Sequence, residues 1–457
     1  MNRDHRFPIN LDSVAGLVTG ALLLSIAVAI WMGNQSGIHI TAVLPADQII
    51  GPFETLTFKF TEPVDGTLAA EKFFIQPKIA GSYHWVDTKT LQFIPREPFQ
   101  PDAVYTLAFA PGALTANGRQ LKEAASWDVR VRLPLVAYIV AEQGQGRLWT
   151  IEPQSGKDNP LTDESLKVFD FDVAYSGEFI VFSAFNEQGG IDLWRVGRKG
   201  GNPVLLVQCG PDRCTAPAVS YLDQRVAYVR EAASPSPDLQ FGAPRIWVLD
   251  PETRQNGPLY EDPQIIGYGP VWSPDGTRLS SFDGLAKEIR LLDLITGNQL
   301  TIPSLMGNPV TWSGDGNTFV FTDMEKNEFG IYTQIRQAKL ITNEIVPMFG
   351  ENDKRDYRYN SLAWSPVEDE LVIELQVEEN DPARVLWLID PVTLGGQVIA
   401  EQPGYTYTDP QWDPWGRALV FQQLRLKGTY KPEIGMWMPG FEEPIVIAEG
   451  LMPLWLP

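Results

Sequence analysis

The chain has 457 residues, 44% hydrophobic and 20% charged, a balance that suits globular protein with room for more than one core. Its net charge of −21 argues against nucleic acid, which needs a concentrated basic surface, and against a broad electrostatic grip on anionic lipid. The 14 Trp, 37 Pro and 39 Gly fit many short strands joined by tight turns.

The first feature in chain order is the uncharged run from Val14 to Met32. As a helix it spans roughly 28 Å, close to the ~30 Å hydrocarbon core of a bilayer. Arg3 and Arg6 precede it, and no Lys or Arg follows until Lys59. The positive-inside rule then predicts a cytoplasmic tail over residues 1–12, a signal-anchor helix over 13–33 and an extracytoplasmic body, a single-pass protein of the cell membrane. A cleaved signal peptide is the rival reading, because Ala27-Val28-Ala29 resembles a small-x-small cleavage site, and it makes the body secreted.

Residues 39–133 carry no repeat. Leu56, Phe58 and Phe60 alternate with Thr55, Thr57 and Lys59, the period of a half-buried strand. Further short strands at 73–76, 90–94, 104–109 and 127–132 predict a β-sandwich of about one hundred residues. Pro45-Ala46-Asp47 followed by Leu56-Thr57-Phe58-Lys59-Phe60-Thr61-Glu62-Pro63-Val64-Asp65 resembles the opening of bacterial Ig-like domains of the surface-layer type. Leu91-Gln92-Phe93-Ile94-Pro95, Tyr105-Thr106-Leu107 and Ala116-Asn117-Gly118 match later landmarks in order. The resemblance implies a spacer or adhesive module.

From residue 134 to 457 the chain repeats itself. Pro270-Val271-Trp272-Ser273-Pro274-Asp275-Gly276 returns around Trp312, Trp364 and Trp412, at spacings of about 40 to 52 residues, which suit one four-stranded blade per repeat. Degenerate copies sit at 173–177 and 218–221. The turn has a physical logic: Pro presets φ, Asp bonds nearby backbone, and Gly accepts positive φ. The Trp is the blade's packing residue. Residues 135–140 and 147–151 look like later strands of a blade lacking its first, and the segment around Trp455 looks like that first strand. Pairing them predicts a seven-bladed β-propeller closed by a C-terminal strand, with six or eight blades as alternatives. The motifs resemble TolB-like propeller repeats, relatives of WD repeats, and that resemblance implies fold more than function.

Cys209 and Cys214 are the only cysteines. A disulfide, two free thiols and half of a metal site are all compatible with Cys-Gly-Pro-Asp-Arg-Cys, though no nearby His completes four ligands.

The chemistry found is sparse. The three histidines are His5, His39 and His84, so the array has none for a triad or a metal, and no Gly-x-Ser-x-Gly elbow occurs. No EF-hand spacing supports Ca²⁺. The sequence therefore predicts no enzyme, cofactor or metal. Long loops at 231–244, 349–360, 378–384 and 424–432 carry two basic–aromatic clusters, Lys354, Arg355, Tyr357, Arg358 and Tyr359, then Lys427, Tyr430 and Lys431. Arg and Tyr concentrated in an acidic chain point to a partner-binding face, against the plainer reading of solubilising loops. The leading expectation is a membrane-anchored extracytoplasmic binding or scaffold protein that presents its propeller to an envelope or membrane protein, or to a glycan. The alternatives are a carbohydrate-active hydrolase using carboxylates in the propeller funnel and the ectodomain of a sensory complex.

Overall fold

The structure is a computed structural model, and it describes residues 16, 18–26, 37–142, 145–234, 236, 239–327, 330–349, 358–377, 382–428 and 430–457. The chain divides into two compact units, Met1–Arg132 and Leu133–Pro457.

In the first unit the period-two pattern does its work: Leu56, Phe58 and Phe60 are buried while Lys59 is exposed. Strand Leu56–Phe60 lies between Ile40–Val43 and Thr90–Pro95, with Gly81–Asp87 at the edge. A second four-stranded sheet runs Ile49–Ile50, Ala125–Val131, Val104–Phe109, Phe73–Gln76. Both sheets feed one core, in which the Phe58 ring lies 4.8 Å from Phe73 and 5.1 Å from Phe109. One short helix, α1 (Gly66–Lys72), interrupts the strands. Asp65 caps it by accepting from the backbone N–H of Thr67 and Leu68, an interaction worth about 1 kcal/mol.

The second unit is all strand and turn. Four of its sheets have four antiparallel strands each, led by Tyr268–Trp272, Thr311–Trp312, Arg358–Trp364 and Tyr405–Trp412. Cores lie between neighbouring sheets, so a second strand must be apolar on both faces. Phe319 and Phe321 pack back towards Ile289 and Leu291, whereas Val320 packs forward against Leu371 and Ile373. Leu419 and Phe421 face Val372 and Leu386, and Val420 turns the other way. Continuous runs such as Phe319-Val320-Phe321 follow from this arrangement.

The first strands of these groups, called leading strands below, pack side by side. Val168–Val173 lies against Arg213–Val219, which lies against Tyr268–Trp272, and Arg358–Trp364 lies against Tyr405–Trp412. Indole N–H groups staple several of these neighbours. Trp272 donates to Ala218 O at 2.9 Å, Trp412 to Ala363 O at 3.2 Å and Trp455 to Gln411 O at 3.2 Å. Trp312 breaks the series. Its N–H has no hydrogen-bond partner among the described residues, and Ser280 Oγ donates instead to Val271 O, the equivalent carbonyl. Trp364 is half-buried against the Leu371 and Ile373 cluster.

The expected set of separate blades in a closed ring is corrected. The remaining strands merge into one 12-stranded propeller-like sheet, and among the described residues no sheet closes on itself as a barrel. Two glycines permit the merger. Gly146 pairs with Val168, and a Cβ on Gly146 would sit 2.3 Å from Val168 O. Ile191 pairs with Arg213 in parallel, beside Gly190, whose added Cβ would meet Gly210 O at 2.1 Å and Asp212 O at 2.3 Å. Within this sheet strand Leu451–Leu456 runs antiparallel to Leu135–Glu142, and Arg198 donates to the carbonyls of Leu133, Leu456 and Pro457.

The spanning helix expected over 13–33 is also corrected: among the described residues no helix is long and apolar enough to cross a membrane. Residues 18–26 are helical and exposed; apart from Gly16, the rest of the segment, like the tail expected at 1–12, lies outside the described residues. The single-pass topology, the orientation with a cytoplasmic N-terminus and the membrane as partner lose their support with it.

Candidate functional site

The leading strands share a local irregularity. The pairing register slips between Thr215 and Ala218, Tyr268 and Val271, Tyr359 and Leu362, and Thr408 and Gln411. Ala216, Gly269, Asp409 and Met452 each have φ between 48° and 54° at such a slip or its equivalent. A bulge lifts one backbone N–H out of the ladder, and left-handed non-glycine residues cost about 1–3 kcal/mol each unless held.

Side chains of adjoining strands hold these amides. Met452 N–H donates to Gln422 Oε1 at 3.3 Å, and Asp409 N–H to Glu374 Oε2 at 3.4 Å. The Glu374 side chain is 1% exposed and also receives Arg384 at 2.6 Å. Burial raises its pKa, and the Arg384 charge opposes that rise.

At the junction of Val168–Val173 with Arg213–Val219 the same job falls to two carboxylates. Asp170 Oδ2 accepts from Ala216 N at 2.7 Å, and Asp172 Oδ2 accepts from Val219 N at 2.7 Å. Ser183 Oγ donates to Asp170. The two carboxylates stand two residues apart on one face of the strand, while Phe171 between them faces the core. Both residues are partly buried, and their carboxyls are desolvated. Burial raises both groups. Asp172 reaches about 6, lifted mainly by desolvation and a little by the Asp170 charge, against the N–H groups of Val219 and Val173.

Two tyrosines follow directly. Tyr175 and Tyr221 sit in the turns after these leading strands, ring centres 4.7 Å apart and edge to face. Tyr221 is 44% exposed overall, yet its hydroxyl end is desolvated and feels the Asp172 charge, which together push it up to about 12. Burial also raises Tyr175. The result is a polar wall with a carboxyl that holds a proton near pH 6, a second carboxyl beside it and an aromatic edge. Among the described residues no group of three or more His, Cys, Asp or Glu is placed to hold a metal ion.

The residues singled out from sequence fall elsewhere. Lys354, Arg355 and Tyr357 lie outside the described residues. Arg358 is exposed, but its neighbour Tyr359 is a core residue, stacked on Phe349 at 5.3 Å. Lys427 is exposed. Tyr430 is exposed beneath the Arg425 guanidinium at 4.5 Å, and Lys431 pairs with Glu449 at 3.0 Å. Cys209 and Cys214 are buried and form a disulfide with Cα atoms 6.3 Å apart. The sequence reading missed Asp170 and Asp172. Their signal is positional: the leading strand around Trp272 has Gly269 and Val271 at the equivalent places, and the one around Trp364 has Ser361 and Ala363.

No family model matches the chain, and no curated protein matches it. Among solved structures it is similar to puromycin hydrolase at 15% identity and a TM-score of 0.51, over 70% of this chain and 52% of that one. Oligogalacturonate lyase from Vibrio parahaemolyticus gives 13% identity and 0.48, over 69% and 85%. TolB from Acinetobacter baumannii gives 14% and 0.41, over 71% and 83%. At these identities the likeness concerns the fold alone, a propeller-like all-β array. The composite identification, a TolB-like propeller with a surface-layer-type Ig-like domain and a membrane anchor, is corrected to that coarser relation. The expected role as a membrane-anchored binding or scaffold protein is corrected too, because no described helix can cross a membrane.

Proposed function

We propose that the second unit is a carbohydrate-acting hydrolase in which Asp172 and Asp170 work as an acid–base pair. The observation that carries the reading is the partly buried Asp172 side chain, whose carboxyl desolvation raises to about 6 beside a second carboxyl on the same strand face. A general acid needs a pKa near working pH, which desolvation supplies here, and an ionised carboxyl beside it can act as the base. Same-side residues two apart on a strand have Cα atoms about 6.6 Å apart, so one bound sugar can reach both carboxyls. The exposed face of Tyr221 offers an amphipathic surface for a sugar ring.

Asp172 gives its proton to the glycosidic oxygen as the bond to the anomeric carbon breaks. Asp170, in its ionised form, takes a proton from the water that attacks that carbon, and that proton passes back to Asp172 through solvent, which restores the pair. The test is release of reducing ends from a panel of oligosaccharides by the full chain and by Asp172→Asn and Asp170→Asn. Hydrolysis that falls at least about 100-fold in either variant, with melting unchanged, supports the reading. No hydrolysis of any panel member, or full activity in both variants, removes it.

A further inference from the structure

The first unit holds an open cavity of about 800 Å³ lined by Asp65, Thr67, Glu71, Tyr83 and Trp85, with Gly66 and Ala70 beneath. The geometry is built into the sequence. Tyr83 and Trp85 alternate on edge strand Gly81–Asp87, so both rings stand on one face. Trp85 leans on Phe60 at 5.8 Å and closes over Gly66, where a Cβ would lie 2.8 Å from its indole nitrogen. A side chain at residue 66 would push the indole away, so glycine there keeps the aromatic wall upright. Tyr83 is 44% exposed, and burial of its hydroxyl raises its pKa, which keeps it a neutral phenol.

Among the described residues the lining has two carboxylates, two aromatic rings and no cation. Asp65 uses Oδ1 to cap α1, and Glu71 is exposed. Two lysines of this unit are turned elsewhere: the end of the Lys72 side chain lies by Gly112, and Lys89 Nζ donates to Thr61 O at 3.4 Å. A cation set between carboxylates and ring faces gains both Coulomb and cation–π attraction.

We propose that this cavity binds the basic side chain of a peptide, lysine or arginine, with Asp65 and Glu71 as counter-charges and Tyr83 and Trp85 as the aromatic walls. The site is independent of the hydrolase reading, since it uses none of the residues of the second unit. Trilysine is the probe, titrated calorimetrically into the full chain, the double variant Asp65→Asn/Glu71→Gln and the single variant Tyr83→Leu. Asparagine caps a helix as well as aspartate does, so the double variant removes charge without removing the cap. The expected result is saturable one-site binding that weakens about fivefold or more in the double variant and about threefold in Tyr83→Leu. Unchanged melting of both variants shows that the fold survives; if the double variant melts early, Tyr83→Leu alone decides. Equal affinity in wild type and Tyr83→Leu means that trilysine merely coats an acidic surface and overturns the proposal, as does the absence of binding to wild type.

Discussion

Neighbouring groups of strands in the second unit are joined in two ways. Around Trp272, Trp412 and Trp455 the joint is a side chain, an indole N–H reaching a carbonyl of the adjacent leading strand. In the 12-stranded sheet the joint is backbone, bridged beside Gly146 and Gly190, and aspartates at 170 and 172 take up amides of the next strand. The difference teaches where chemistry can sit. Tryptophan joints are found with Gly269 and Val271 at the lining positions of one strand, Ser361 and Ala363 at those of a second, and Asp409 and Gln411 at those of a third. The carboxylate joint instead sets two acidic groups on amides of the next strand, with desolvation raising their affinity for protons.

The sharpest way to break this contrast is to block a backbone bridge. Gly190→Ala places a Cβ against Gly210 O and Asp212 O at distances that only backbone movement relieves. A loss of about 3 kcal/mol in chemical denaturation is expected, and a loss below about 1 would mean that the merged sheet does not depend on that contact. Next comes the tryptophan joint. Trp412→Phe strands the Ala363 carbonyl and should cost about 1–2 kcal/mol, whereas Trp312→Phe removes an N–H that has no described partner and should cost less. Equal costs for the two would show that packing, not the staple, joins the groups.

The smallest effect is read in pH. Asp413 stands where the turns after Trp272, Trp312 and Trp364 have serine and accepts from the N–H groups of Arg417 and Ala418, yet burial lifts it to about 6. A folded carboxyl pKa above the unfolded value means that the native state binds the extra proton, so stability falls as pH rises from about 4 to about 6 and is then level. Asp413→Asn keeps an accepting oxygen and loses the charge. It should match wild type near pH 4 and exceed it by about 1–2 kcal/mol at pH 8, measured by urea denaturation. A variant less stable than wild type at pH 8 would show that the charged form holds the turn better than the amide does.

Part of this architecture is legible in the sequence because it is local. Ser273-Pro274-Asp275-Gly276 specifies its own turn: Gly276 has φ 66° and donates to Ser273 O at 2.8 Å, while Asp275 accepts from Thr277 N at 3.0 Å. Phe319-Val320-Phe321 carries the two-faced burial of a second strand in three letters. The merger of the sheets is not legible, because Gly146 and Gly190 look like any turn glycines until the carbonyls of Val168 and Gly210 approach them. Tyr359 misleads for a related reason: its basic neighbours suggest a surface loop, but the strand period turns its ring onto Phe349. The carboxylate pair escapes notice because its meaning depends on amides more than forty residues away, at Ala216 and Val219. The run from Val14 to Met32 has the composition of a spanning helix, but of it only Gly16 and residues 18–26 are among the described residues, and no helix among these is long enough to cross a membrane.

The claim at the centre is that Asp172 carries a transferable proton near neutral pH. The most direct measurement is the pH dependence of oligosaccharide hydrolysis by the full chain and by Asp172→Asn. The account predicts a rate that declines above about pH 6 in the wild type as Asp172 loses its proton, and a variant with little activity and no such limb. A variant that keeps both the wild-type rate and its alkaline limb would contradict it.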